Sequence, residues 1–147
     1  MKVLFDNTNL ESTSGPNSFA NKLKKYLELN NHKCGTNIDN PDVQISFIET
    51  HRDSVNVPML LRLDGIYFDI ETDYWRKNQN ILRSYNMADG VVFQSNYCKE
   101  LTFKYFGEHK NWIVVPNAAD LETINKVAPL ELKSKHNFEN IWTCASS

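Results

Sequence analysis

The chain has 147 residues, 41% of them hydrophobic, which fits one ordinary globular domain with a buried core. Its 16 basic and 18 acidic residues give a net charge of -2, without the basic excess that binding to nucleic acid or an anionic membrane requires. The three cysteines, Cys34, Cys98 and Cys144, lie far apart and fit neither a disulfide framework nor a zinc site. No apolar stretch is long enough to span a membrane. We therefore expect buried thiols in a soluble, cytoplasmic protein, and a peripheral membrane contact through a helix face stays open.

Five short apolar runs, each ending abruptly in small, polar or acidic residues, are the main signal along the chain. Such runs are typical of strands buried on both faces of a parallel sheet, where ligands bind beyond the carboxyl ends of the strands. The five polar ends are therefore a predicted site. The runs cover residues 3–5, 43–48, 59–61, 91–93 and 113–115.

Amphipathic helical patterns lie between these runs. The first begins after a cap at Asn17 or Ser18, and the second covers residues 74–87 with Trp75 in its apolar stripe. The alternation of strands and helices predicts an α/β fold, a Rossmann-like parallel sheet with helices on both faces. The polar segment 30–41 holds one short strand at most.

The third helical pattern follows Ser95 and Asn96 and has Tyr97 in its apolar stripe. It ends at Gly107, since glycine readily takes the left-handed conformation that follows many helices.

Composition changes near residue 128. Residues 128–140 are typical of a linker, and 141–147 form one more apolar run that breaks into small polar residues. The sequence thus predicts a Rossmann-like N-terminal domain over 1–127, an interdomain linker over 128–140, and the first strand of a further C-terminal domain at 141–147. The alternative is that this last run completes the edge of the first sheet.

A polar loop, Ser14, Gly15, Pro16 and Asn17, connects the first run to the first helix. Backbone N–H groups and the helix dipole favour an anion such as phosphate at this place. The loop lacks the glycine pattern of dinucleotide-binding proteins and of P-loop nucleotidases. Taken alone, this loop is better explained as an ordinary strand-to-helix turn.

Arg62 and Asp64 follow a buried run and share one face of the strand, because side chains alternate along a strand. Charges this close to the core must be paired or must bind a ligand. Downstream, Asp69 lies among tyrosine, phenylalanine and tryptophan residues, and carboxylates mixed with aromatic rings are typical of sugar sites. The two interpretations are a sugar site and an ion pair that holds a loop.

Two further polar residues end strands at the same predicted rim. Gln94 follows the fourth run and is not explained by helix capping, whereas Asn117 follows the fifth run in what is by default a turn. His51 has no neighbouring nucleophile or metal ligand in the sequence, so we expect a surface residue there rather than a catalyst.

Taken in order, these motifs resemble the N-terminal half of a family-4 glycosyltransferase over nearly the whole chain. The matching segments are Ser14-Gly-Pro16, Leu61-Arg-Leu-Asp-Gly65 with Asp69, Asn80-Ile81 with Ser84-Tyr85 and Ala88-Asp89-Gly90, Val91-Val-Phe-Gln-Ser-Asn96, and Val114-Val-Pro-Asn-Ala-Ala-Asp120.

The resemblance implies a GT-B enzyme, in which two Rossmann-like domains face each other across a cleft. It implies a hexosyltransferase-type reaction with retention of configuration, a nucleotide-sugar donor, a carbohydrate or glycan acceptor, and neither a cofactor nor a metal ion. In such enzymes the C-terminal domain holds the donor through a Lys/Arg pair and a Glu-x7-Glu motif.

Carried onto this chain, the resemblance places residues 14–17 near the donor phosphates or the acceptor. It places Arg62, Asp64, Asp69, Gln94 and Asn117 on the acceptor side. Two departures stand out: Asp64 occupies a place where many relatives have histidine, which makes Asp64 the candidate catalytic residue, and Ala118 replaces a usual glycine.

Two functions therefore follow from the sequence. The first is the acceptor-binding half of a retaining glycosyltransferase, inactive without its donor-binding half. The second is a non-catalytic carbohydrate-binding or regulatory module that has kept the half-domain fold.

Overall fold

Six parallel strands form one sheet in the computed structural model, which describes residues 1–12, 15–53, 56–71, 73–118 and 121–128. The strand order is β2-β1-β3-β4-β5-β6. All five predicted runs are strands, and segment 30–41 contributes the short β2. The strands are β1 (Lys2–Asp6), β2 (Lys33–Gly35), β3 (Val43–Phe47), β4 (Met59–Leu63), β5 (Gly90–Phe93) and β6 (Trp112–Val114).

Three helices accompany the sheet: α1 (Gly15–Leu29), α2 (Tyr74–Met87) and α3 (Asn96–Phe106). The predicted bounds of α2 are confirmed, and the cap of α3 is the predicted Ser95, whose hydroxyl accepts a hydrogen bond from the Cys98 backbone N–H at 3.1 Å. Helix α1 begins earlier than predicted, because Pro16 suits the first turn of a helix and the Asn17 side chain bonds to another segment.

The chain divides into two compact units, Met1–Pro116 and Asn117–Ser147. The first unit holds the whole sheet and its three helices. Within the described part of the second unit, α4 (Leu121–Ile124) is a single helical turn. The predicted linker beyond residue 128 and the predicted strand at 141–147 lie outside the described residues.

Helices cover both faces of the sheet, as the alternating pattern predicts. Strand residues such as Phe5 and Phe47 pack with Ala20 of α1 in one cluster of the core. On the other face of the sheet, strand side chains such as Leu61 and Phe93 pack with α2 and α3 in a second cluster. The register that aligns Ser46 with Leu61, and Phe47 with Arg62, keeps these two sets on opposite faces.

Several apolar side chains are more exposed than their patterns predict, among them Trp75, Tyr97 and Ile113. Trp75 and Tyr97 are 59% and 63% exposed because each lies in the first turn of its helix, beyond the strand ends that would cover it. Ile113 is 55% exposed because β6 is an edge strand, and no described helix covers it on the face that carries α1.

The expected buried thiols are confirmed for the two cysteines that the structure describes. Cys34 and Cys98 are buried and unbridged, and burial raises the pKa of both thiols. Cys144 lies outside the described residues.

Tyr85 connects α2 to the end of α3. Its hydroxyl donates to the carbonyl oxygen of Gly107 at 2.8 Å, and Gly107 has a φ of +89°, a conformation that favours glycine. The side chain is 2% exposed, and burial, helped by the negative charge of Glu108, raises the pKa of Tyr85 to about 12.

We expect Tyr85→Phe to lower the free energy of unfolding by about 1 kcal/mol at neutral pH, since it removes this hydrogen bond. The unfolded phenol ionises near pH 10, below its folded pKa of about 12, so the contribution of Tyr85 is complete below pH 10 and lost between pH 10 and pH 12. Urea unfolding of both proteins across this range checks the prediction. A stability difference that stays constant through pH 12 would contradict it.

Candidate functional site

The carboxyl ends of all six strands lie along one edge of the sheet, because every pair of neighbouring strands is parallel. Strand β1 lies between β2 and β3, so the connection from β1 to β2 runs to one side of the sheet and the connection from β3 to β4 runs to the other. Open parallel sheets bind ligands in the crevice that such a reversal creates. The candidate site is therefore at the ends of β1 and β3.

A cavity of about 480 Å³ lies at the end of β1, and we call it the switch-point cavity. Its lining is mainly amide and hydroxyl side chains, with one carboxylate and one guanidinium. These groups donate and accept hydrogen bonds, as sugar hydroxyls do. The lining residues that matter below are Asp6, Asn7, Thr8, Asn9, Asn17 and Arg52.

Asn17 organises the polar segment that follows β1. From the first turn of α1, its Oδ1 accepts hydrogen bonds from the Thr8 hydroxyl at 2.9 Å and from the Asn9 backbone N–H at 2.8 Å. Asn17 therefore fixes the wall of the switch-point cavity and is not the predicted helix cap, since α1 begins at Gly15.

Two residues with positive φ stand at the ends of neighbouring strands. Asn7 has a φ of 55° and donates from Nδ2 to the carbonyl oxygen of Phe47 at 2.8 Å. Ile48 has a φ of 69°, which is rare for a β-branched residue and costs roughly 1–3 kcal/mol. Backbone strain of this kind concentrates at functional sites, so the strained residue directly after β3 supports a functional site at these strand ends.

Asp6 connects the end of β1 to the core. Its Oδ2 accepts hydrogen bonds from Gln44 Nε2 and from the Ser46 hydroxyl, each at 3.2 Å. Its Oδ1 accepts from Arg52 Nε at 3.1 Å. Gln44 and Ser46 are almost fully buried. The Asp6 carboxylate therefore binds two hydrogen-bond donors of the core and, at the same time, the Arg52 side chain that lines the cavity.

Helix α2 holds the segment that carries Arg52. The buried Thr50 backbone N–H donates to Ser84 Oγ at 2.8 Å, and Arg83 Nη2 donates to the Thr50 carbonyl oxygen at 2.7 Å. Asn80 Nδ2 also donates to that oxygen, at 3.2 Å. These contacts give Asn80 and Ser84, two residues of the family-like motif, a structural role.

Arg62 and Asp64 share a face of β4, as predicted, and form an ion pair in which Arg62 Nη1 donates to Asp64 Oδ1. The Arg62 guanidinium also lies 3.8 Å from the centre of the Phe19 ring of α1. The side chains are 5% and 25% exposed. Burial raises the pKa of Asp64, and the charge and hydrogen bond of Arg62 oppose that rise. The pair therefore anchors the end of β4 to α1.

The other predicted residues differ in their surroundings. Gln94 is half-buried, and its backbone N–H donates to the Leu63 carbonyl oxygen at 3.3 Å, which places it beside Asp64. Asp69 is exposed, and its Oδ1 accepts from the Glu71 backbone N–H at 2.9 Å. Asn117 is exposed and belongs to the second unit.

The predicted anion loop is partly a helix. Gly15 and Pro16 lie in the first turn of α1, where Gly15 has a φ of +40°, and Ser14 lies outside the described residues. His51 is exposed with its Nε2 at 3.5 Å from Glu49 Oε1, in agreement with the expected surface position.

Sequence reasoning included Asp6 and Arg52 in the polar strand ends of the predicted site without singling them out, and it missed Thr36. Asp6 begins the polar end of the first run and Arg52 lies in the polar tip after the third strand, so both had a weak signal. Thr36 follows the three-residue β2, which carries too little apolar pattern to mark its end.

Across the described residues, no cluster of histidine, cysteine or acidic side chains is arranged to hold a metal ion. None of the described helices combines the length and apolar character needed to cross a membrane. Comparisons with family models, curated proteins and solved structures give no match to this chain.

Proposed function

We propose that this chain is the acceptor-binding half of a retaining glycosyltransferase of the GT-B type. The observation that carries the proposal is the switch-point cavity, whose amide and hydroxyl lining lies at the strand ends where open parallel sheets bind ligands. The motifs that resemble family-4 glycosyltransferases support it independently.

The chemistry of the lining favours a neutral polar ligand. Arg52 is the cation of the cavity lining, and Asp6 pairs with it, so the nearby charges offset each other. Asn7 and Thr8 line the cavity, and their side-chain oxygens can accept hydrogen bonds from sugar hydroxyls, while their donors hold the cavity wall together. In this proposal they bind the acceptor sugar, and Asp64 and Gln94 continue the acceptor wall along the edge.

Sugar binding tests the proposal directly. In a titration of the ¹⁵N-labelled chain with neutral monosaccharides and short oligosaccharides, we expect saturable chemical-shift changes at the backbone amides of Asn7, Thr8 and Asn9. Changes confined to other parts of the chain, or none, would contradict it.

The proposed role also predicts that the chain is catalytically inactive by itself. The resemblance assigns the groups that stabilise the leaving diphosphate to a C-terminal domain, and such electrostatic help is usually the largest catalytic contribution. We therefore expect purified residues 1–147 to hydrolyse or transfer no nucleotide sugar. Measurable turnover would overturn this assignment of roles.

The coding sequence that follows Ser147 distinguishes the two functions further. A Lys/Arg pair followed by a Glu-x7-Glu motif is the expected result for the glycosyltransferase. Sugar binding without either motif would instead support the non-catalytic carbohydrate-binding module.

A further inference from the structure

We propose that a second cavity, on the face of the sheet beside the switch-point cavity, binds one neutral sugar unit. We call it the face cavity, and its volume is about 480 Å³. It shares Thr36 and Arg52 with the switch-point cavity, so one oligosaccharide can reach both. The identity of the ligand rests on the proposed function, whereas the existence of the cavity does not depend on it.

The face cavity exists because two crossover connections lack helices. In the described residues, the connections from β2 to β3 and from β3 to β4 are loops. They lie on the face that carries α2 and α3, and these helices pack against strands farther along the sheet. Leu4 of β1 and Gln44 of β3, adjacent in the parallel register, form the floor between these loops.

Gln44 presents a hydrogen-bond acceptor that no described group uses. The residue is 1% exposed, and its Nε2 donates to Ser46 Oγ at 2.8 Å and to Asp6 Oδ2 at 3.2 Å. The Asp6 carboxylate, which can only accept, fixes which end of the amide faces it. Gln44 Oε1 therefore points away from this carboxylate, and it accepts no hydrogen bond from the described residues.

This oxygen opens onto the face cavity. In the described residues, every fully enclosed side-chain nitrogen or oxygen atom has a hydrogen-bond partner. Because Gln44 Oε1 has no such partner, it must keep some contact with solvent. Because Gln44 is otherwise buried and lines this cavity, the cavity is where that contact lies. A ligand that donates an O–H or N–H there would satisfy an acceptor that is costly to leave unpaired.

The rest of the lining selects the class of ligand. Leu4, Ile38 and Val57 provide aliphatic surface, and Asn37 and Asn40 provide amides that both donate and accept. Among the described residues, the cavity lining contains no aromatic ring on which a nucleobase would stack. A pyranose unit combines donor hydroxyls with apolar C–H surface, and it matches this lining.

A titration observed at the Gln44 side chain tests the inference. The probes are D-glucose, D-galactose, D-mannose and N-acetyl-D-glucosamine, added separately to the ¹⁵N-labelled chain. We expect a saturable shift of the Gln44 Nε2 resonances with at least one of them. Asn37→Trp and Asn56→Trp place a bulky ring at exposed positions of this lining, and each should abolish that shift while leaving the shifts at Asn9.

The matched control is Gln79→Trp, an exposed position on α2 outside both cavities, which should retain the Gln44 shift. If Asn9 shifts and Gln44 does not, the face cavity is no sugar site and the proposed function survives. If Gln44 shifts and Asn9 does not, the face cavity is supported and the switch-point assignment fails. If neither shifts with any probe, both are overturned.

Discussion

Asp64→Asn is expected to lower the free energy of unfolding by about 3 kcal/mol, because it removes the carboxylate charge that pairs with the buried Arg62 guanidinium. The Arg62 side chain is 5% exposed and lies against the Phe19 ring, so water can replace little of the lost interaction. Thermal and urea unfolding of the purified variant measure the effect, and the expected decrease in Tm is about 10 °C.

Asp69→Asn is the matched control. Asp69 is exposed, and an asparagine oxygen can still accept the hydrogen bond from the Glu71 backbone N–H. We expect its free energy of unfolding to change by less than about 0.5 kcal/mol. An Asp64→Asn variant as stable as this control, yet unable to bind sugar, would show that Asp64 serves the ligand rather than the fold.

Asp6→Ala is expected to lower the free energy of unfolding by about 3 kcal/mol, since two buried donors lose an acceptor. Those donors are Gln44 Nε2 and the Ser46 hydroxyl, and Arg52 loses its ion pair at the same time. We also expect weaker sugar binding, because Asp6 and Arg52 both line the switch-point cavity. Urea unfolding and sugar titration of the same preparation measure the two effects.

Asp42→Ala is a suitable comparison because Asp42 caps the opposite, amino end of β1. Its Oδ2 accepts from the Lys2 backbone N–H at 2.7 Å at an exposed position. We expect this variant to lose about 1 kcal/mol of stability and to keep its sugar affinity. Equal losses of stability in the two variants would show that the Asp6 network contributes no more than an exposed hydrogen bond.

The sequence predicts the sheet well because its strands are buried. Continuous apolar runs mark β1, β3, β4 and β5, and the polar cluster at each end marks the edge where the site lies. Helix α2 is equally clear, since its apolar spacing predicts its bounds, and the structure adds a cap at Asp73. Local pattern and tertiary packing point to the same answer in these segments.

The contacts of the site are less predictable because they join residues far apart in the chain. The Asp6 carboxylate bonds to Gln44, Ser46 and Arg52, and no spacing rule connects these positions. Gln44 lies in what reads as an apolar strand, so nothing in the sequence indicates that its amide oxygen is unpaired beside a cavity. The strand order decides these contacts.

Arg62 and Asp64 show the intermediate case. Their spacing predicts a shared face of the strand, and the ion pair is one of the two interpretations that the sequence leaves open. The contact with Phe19 requires knowledge of which face carries α1, and that depends on the whole sheet.

The sugar affinity of Asn17→Ala compared with that of Asn17→Asp tests the central claim most directly. Asn17 positions Thr8 and Asn9 through its side-chain oxygen, which aspartate keeps and alanine lacks. If sugars bind in the switch-point cavity, Asn17→Ala should bind them about tenfold more weakly, a loss of about 1.4 kcal/mol, while Asn17→Asp stays close to the unmodified chain. Equal affinity in all three proteins would contradict a sugar site at the end of β1.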